Sequence, residues 1–315
     1  MKIVFLDRKS IGEDISLDKF SQFGDVDIYD FSSNDEARER TKNADVVVTC
    51  KISINAKTIG LASKLKMVCI TGTGINSLDI EYLESKNIKW RNVRSYCTES
   101  VAQHSFAMLL CLLENIRFYD DYVRDKTYVD DTQLKHFTNK FNEISGKTWG
   151  IVGLGEIGRE VAKIATAFGA KVIFYSASNR TISEAYDKVN FEDLLEQSDI
   201  ISIHAPESKK TIGLFNKEAF IKMKKRPIII NVGRGSIINE IDLVEALNKN
   251  YISAAGLDVI SKEPMRANSE LLKFIPNNRL LITPHVAWAS VESRRRVIDR
   301  IFEYIYSEFK DNMED

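Results

Sequence analysis

The chain has 315 residues, long enough for two domains with a core each. Its 44 basic side chains nearly balance 45 acidic ones, so no excess charge marks a surface for nucleic acid or an anionic membrane. With 44% hydrophobic residues, no apolar run of membrane-spanning length and an opening (Met1 to Asp7) that reads as a strand and not as a secretory leader, the expected class is globular and the expected compartment the cytoplasm.

Residues 2–7 (KIVFLD), 26–30 (VDIYD), 45–50 (DVVVTC), 66–71 (KMVCIT) and 88–93 are short apolar runs, the first four rich in β-branched residues. Helix-compatible stretches at 35–43, 55–63 and 79–85 alternate with them, which predicts a parallel sheet covered on both faces. No phosphate-type glycine turn follows the first strand. Residues 99–115 (ESVAQHSFAMLLCLLEN) are apolar on most sides and predict a long buried helix that connects two domains and packs under both. Residues 116–143 are rich in charge and aromatics without a strand run, as in a surface arm or part of a subunit interface.

Next comes the stretch Trp149-Gly-Ile-Val-Gly-Leu-Gly-Glu-Ile-Gly158, an apolar strand that runs through a glycine turn into a helix. Gly153 would make the tight turn, Gly155 would let backbone approach a pyrophosphate, and Gly158 would let helix and strand pack closely. The free N–H groups and positive dipole end of such a helix suit a phosphate. Alternation then resumes, with strands expected at 171–175, 199–205, 228–232, 253–259 and 280–283. Helices are expected at 191–197, 216–224, 240–249 and 269–274. A final helix over 290–312 should bury Val297, Ile301, Tyr304, Ile305 and Phe309. The pattern is α/β: two doubly wound parallel-sheet domains, with a ligand cleft between them. Cysteines 50, 69, 97 and 111 are scattered and read as buried reduced thiols, with no metal site.

Polar groups collect at carboxyl ends of the later strands, where open α/β sheets place their ligands. His285 follows Leu280-Leu-Ile-Thr-Pro284, Arg234 leaves a glycine-flanked turn, and Asp258 and then Glu263 follow the strand at 253–259. His204 ends another strand near the expected cofactor edge. His104 lies in the buried helix, with a core or supporting role, and His136 lies in the polar arm as a solvated residue.

Over nearly its whole length the chain resembles the D-isomer-specific 2-hydroxyacid dehydrogenases. The likeness rests on Gly153-Leu-Gly-Glu-Ile-Gly158, Asn231-Val-Gly-Arg-Gly235, Gly256-Leu-Asp-Val259 with Glu263-Pro264, Thr283-Pro-His285, Thr71-Gly-Thr-Gly74 and Ser100-Val-Ala-Gln-His104. Thr283-Pro-His-Val-Ala-Trp288 and Ser100 to His104 look most like the glycerate dehydrogenase or hydroxypyruvate reductase branch. The resemblance implies a flavodoxin-like substrate domain over 1–99, completed by 287–315, and a Rossmann dinucleotide-binding domain over 100–286. It implies that His285 is the general acid, that Glu263 holds its imidazole and stabilises the protonated form, and that Arg234 grips the substrate carboxylate and developing oxyanion. Substrate contacts would also come from Lys51, Thr73, Gly74 and Trp288. Cofactor contacts would come from Gly153, Gly155, Glu156, Ile157 and Gly158, from Ser176, Ser178, Asn179 and Arg180, and from Ala205, Pro206, Thr211, Val232 and Asp258, the last at the nicotinamide carboxamide.

The chain departs from the family in two places. Ser176 stands where an acidic residue often takes the adenine ribose, ~20 positions past the glycine turn. With Ser178, Asn179 and Arg180 beyond it, the cofactor is expected to be NAD or NADP, NADPH being used at least as well as NADH. Ile75 also stands where a polar residue is common, so the substrate contacts of that loop are open. No regulatory domain is expected after residue 315, which would count against a serine-pathway phosphoglycerate enzyme. The expected activity is reduction of a small 2-keto acid, such as glyoxylate or hydroxypyruvate to D-glycerate, by a homodimer. The alternatives are a D-lactate-type or other 2-ketoacid dehydrogenase, or a cofactor-sensing binding protein on the same fold.

Overall fold

The computed structural model describes residues 1–129, 139–178, 183–275 and 277–310. The chain divides into two compact units, one of residues 1–97 with 289–315 and one of residues 98–288.

The first unit is a five-stranded parallel sheet: β1 (Lys2–Phe5), β2 (Asp25–Ile28), β3 (Val46–Thr49), β4 (Met67–Ile70) and β5 (Lys89–Asn92). Their order is β2-β1-β3-β4-β5. Helices α1 (Asn34–Arg40), α2 (Ala56–Ile59) and α3 (Ile80–Ser85) cross between strands, each begun by a polar cap: Ser33, Asn55 and Asp79 accept from first-turn N–H groups. Every residue of β3 and β4 is buried, the burial pattern of a central parallel strand with helices on both faces. The last helix, Val291–Phe309, belongs to this unit and sets Phe302 against Phe20 and Phe23. Its buried stripe includes Val297, Ile301, Ile305 and Phe309 as expected, but Ile298 takes the place expected for Tyr304, which is only half-buried.

The second unit begins with α4 (Thr98–Leu113), which packs on the glycine-turn helix and on two central strands of its own sheet. Seven parallel strands follow: β6 (Thr148–Val152), β7 (Lys171–Tyr175), β8 (Asp187–Lys188), β9 (Ile200–Ile203), β10 (Ile228–Asn231), β11 (Ala254–Leu257) and β12 (Leu280–Ile282). The order β12-β11-β10-β9-β6-β7-β8 places the switch point between β6 and β9, beside the glycine turn. Residues 116–124 form the helix α5 (Ile116–Arg124), where the sequence suggested only a strand-free arm, and none of its residues is buried. None of the four cysteines is in a disulfide among the described residues, but only Cys69 is fully buried; Cys50, Cys97 and Cys111 are half-buried, contrary to expectation. Among the described residues no helix is long and apolar enough to cross a membrane.

Candidate active site

At the end of β6 the backbone turns at Gly153 with φ +94°. A Cβ there would stand 2.7 Å from the Ala205 nitrogen and 2.8 Å from its Cα, so both conformation and the neighbouring chain demand glycine. A Cβ on Gly158 would come 2.3 Å from the Gly153 carbonyl oxygen, which fixes how closely the helix α6 (Glu156–Ala167) can approach its strand. Gly155 faces open space and caps α6 without any side chain to satisfy the first N–H groups. That leaves donors and a positive dipole end for an anion.

A cavity of about 510 Å³ opens there, bringing Gly153 and Gly155 together with Ser176, Ser178, Ala205, Pro206 and Thr211. Leu154, Ala177, His204 and Ser208 to Lys210 also line it, and among the described residues none that lines it is acidic. Of the remaining expected cofactor residues, Glu156, Ile157 and Gly158 belong to α6, while Val232 and Asp258 follow β10 and β11. Asn179 and Arg180, like His136, lie outside the described residues.

His204 contributes an unusual group to this cavity. The Trp149 indole N–H donates to Ser202 Oγ at 2.8 Å, and Ser202 Oγ stands 2.9 Å from His204 Nε2. Indole only donates, so Ser202 Oγ accepts from Trp149 and keeps a second lone pair and its own proton for the bond with His204 Nε2. That Nδ1 is buried and has no hydrogen-bond partner. Burial pushes the imidazole down to about 3, so the ring is neutral. A glycine cradle and an uncapped helix start are what a dinucleotide's phosphates require, and these residues fit such a group.

The acid–base pair stands at the end of β12. His285 Nδ1 is 2.7 Å from Glu263 Oε2, and both side chains are about one-third exposed. The carboxylate fixes the proton on Nδ1. Nε2 has no partner among the described residues and is the nitrogen that can exchange a proton with a ligand. His285 itself sits at φ +57°, held by its N–H to the carbonyls of Asp258 (2.8 Å) and Thr283 (3.0 Å). The indole N–H of Trp288 donates to the His285 carbonyl at 3.0 Å.

Asp258 organises that turn. Its carboxylate is 2% exposed and accepts from the Thr283 hydroxyl (2.6 Å), the Val286 N–H (2.9 Å) and the Ala287 N–H (2.9 Å). His104 Nε2 stands 3.0 Å from the same Thr283 hydroxyl, a supporting position. The sequence singled out Asp258 for its strand end and, through the family resemblance, for a cofactor contact; its clamping of the loop on both sides of His285 depends on tertiary pairing that no local pattern carries.

Arg234 lies in a turn where Asn231 Nδ2 donates to the Arg234 carbonyl at 3.0 Å and Gly233 N–H donates back to Asn231 Oδ1 at 3.1 Å. At Gly235 a Cβ would fall 1.9 Å from the Ile260 carbonyl carbon, so two backbone segments touch there, and the half-buried Arg234 donates from its guanidinium to the Gly233 carbonyl at 2.8 Å.

In the first unit, Lys51, Thr73 and Gly74 are exposed at the carboxyl ends of β3 and β4. Thr73 Oγ1 donates to the Val93 carbonyl at 2.9 Å. Sequence reading noted Asp7 only as a strand end. Its buried carboxylate accepts from Thr49 Oγ1 (3.0 Å), the Cys50 N–H (2.9 Å) and the Lys51 N–H (2.7 Å), and so fixes the loop that carries Lys51. Burial raises the Asp7 carboxyl above its ordinary range, although these donors pull the other way.

A doubly wound sheet with a dinucleotide cradle and a histidine–carboxylate pair at neighbouring strand ends defines a nicotinamide-dependent oxidoreductase. The chain belongs to the D-isomer specific 2-hydroxyacid dehydrogenases: the model of that family's NAD binding domain matches residues 106–287. A putative 2-hydroxyacid dehydrogenase of Haemophilus influenzae is 35% identical over 312 residues, 97% of each chain. A hydroxypyruvate reductase of Blautia hydrogenotrophica is 35% identical, covering 95% of this chain and 94% of that one. Among solved structures, an acyclic imino acid reductase in complex with NADPH and D-Arg aligns with a TM-score of 0.85 at 29% identity, covering 99% of this chain and 98% of that one.

Proposed function

We propose that the protein reduces a small 2-keto acid, glyoxylate or hydroxypyruvate, to the 2-hydroxy acid, of D configuration where the product is chiral. The observation that carries this reading is His285, with Nδ1 anchored on Glu263 and Nε2 left to give a proton to the keto oxygen. The bound reduced nicotinamide supplies the hydride. Arg234 holds the substrate carboxylate with a planar fork of donors and stabilises charge that develops on the keto oxygen. Thr73 and Gly74, with Lys51, contribute further carboxylate donors, Trp288 an apolar wall, and Asp258 a contact to the carboxamide. The relative named hydroxypyruvate reductase supports the substrate size.

NADPH serves at least as well as NADH in this reading. Ser176 replaces the ribose-binding carboxylate, and none of the described residues that line the cavity is acidic. The similar imino acid reductase is in complex with NADPH. The working form is a homodimer in the cytoplasm.

Steady-state rates with NADPH and NADH against a panel of keto acids test the proposal. Turnover should be greatest with two- and three-carbon acids and absent with L-hydroxy acids in reverse. Running the panel with and without an amine separates keto-acid from imino-acid reduction. A tenfold advantage for NADH, about 1.4 kcal/mol, would defeat the cofactor clause alone.

A further inference from the structure

We infer that Lys209 and Lys210 form a phosphate subsite of the cofactor cavity that reads a phosphomonoester on the adenine ribose. The inference rests on the NADPH reading above and names residues for it that the glycine-turn pattern does not reach.

Sheet order supplies the geometry. Strand β6 lies between β7 and β9, so the segments that follow β7 and β9 stand on the two sides of the glycine turn. Ser176 and Ser178 come from the first segment and Lys209 and Lys210 from the second, and all four line one cavity with Gly153 and Gly155. A dinucleotide laid on the glycine turn therefore has serines on one flank and two lysines on the other. The chemistry of such a flank favours a dianion over a ribose diol, which needs acceptors.

The loop is built to present these lysines. Thr211 Oγ1 donates to the Pro206 carbonyl at 2.8 Å and accepts from the Ser208 N–H at 2.8 Å. Lys210 N–H donates to Ser208 Oγ at 3.3 Å, and the Thr211 N–H to the Ser208 carbonyl at 3.0 Å. The turn is thus tied by its own polar groups while both lysine side chains extend to solvent. Neither ammonium is in an ion pair or hydrogen bond among the described residues. The loop's one acidic residue, Glu207, is drawn to the Ser236 hydroxyl and does not line the cavity. A phosphate there would meet two uncommitted cations and no competing carboxylate on the loop.

Binding measured by calorimetry, without turnover, tests the subsite separately from the reaction. Adenosine 2′,5′-bisphosphate and AMP, which differ only in the 2′-phosphate, are compared on the wild type, on a Lys209→Ala/Lys210→Ala double variant and on Lys171→Ala, an exposed lysine of the same unit outside the cavity. The wild type should bind the bisphosphate roughly tenfold more tightly than AMP, and the double variant should lose most of that ratio. The ratio should also shrink with added salt, because both lysines are exposed. Lys171→Ala should keep it. A wild-type ratio near one overturns both the subsite and the NADPH reading. A wild-type preference that the double variant retains overturns the subsite alone and returns the phosphate to other groups. An equal loss in Lys171→Ala reduces the effect to general charge, which also overturns it. None of these outcomes depends on which keto acid is reduced.

Discussion

At residue scale the centre is one histidine in a conformation that few side chains adopt. His285 has left-handed backbone, φ +57°, at a cost of roughly 1 kcal/mol or more for a residue with a Cβ. The fold holds it there with three Asp258 carboxylate bonds around the turn and two backbone bonds at its own N–H. The result is an imidazole whose Nδ1 meets Glu263 and whose Nε2 has no partner among the described residues. His285→Asn is the informative change, since asparagine accepts this backbone conformation and cannot act as an acid. Its kcat should fall by ~10²–10⁴-fold, the usual consequence of losing a general acid, with little change in cofactor binding. Turnover near the wild-type rate would take the proton transfer away from His285. The strand-end places of Arg234, Glu263 and His285 were legible because polar groups at the carboxyl ends of open sheets stand out after apolar runs. The supporting bonds of Asp258 and Asp7 were not, because they join residues 25 to 44 positions apart.

At the scale of elements, apolar runs located the long strands well and short pieces poorly. The strand β8 has two exposed residues and no apolar run to mark it. Helix α5 has no buried residue, so its periodicity followed no core. The final helix buries Ile298 beside Val297, a wider stripe than a narrow heptad reading allows. One consequence belongs to strands β6 and β9 together. They share the chain from Trp149 through Ser202 to His204, whose imidazole is held neutral by burial, at about 3 against an ordinary 6.5. The unfolded chain therefore binds a proton that the folded one refuses. The stabilising difference is complete above pH 6.5 and is lost as pH falls from there toward 3, amounting to about 2 kcal/mol by pH 5. Melting temperatures of the wild type and His204→Gln at pH 7.5 and pH 5, without cofactor, check this. The drop between the two conditions should be smaller in the variant, and an equal drop would mean that His204 is protonated in the fold.

At the scale of the whole molecule, nothing in the repeating apolar pattern of residues 291–309 says which sheet the last helix covers; its return to the first unit is a fact of tertiary structure. The surface offers a clearer inference. Most exposed apolar residues of a monomer are scattered, but the segment after α4 gathers Ile116, Val123, Tyr128, Val129 and Phe141, each at least half exposed. Phe118 stacks with Tyr122, and Tyr122 meets Tyr128, so this arm is organised by its own aromatic contacts while its apolar atoms face water. Residues 130–138 of the arm lie outside the described residues. A second copy of the chain is the simplest cover for such a surface, because a two-fold interface lets the same patch bury itself. Light scattering at micromolar concentration should therefore give twice the 35.9 kDa of the chain. Val123→Asp combined with Val129→Asp should move the mass toward the monomer, since two carboxylates would lose their hydration at the contact. A wild-type mass of a single chain would show that the arm meets solvent in the working protein, and an unaltered dimer in the double variant would place the interface on another face.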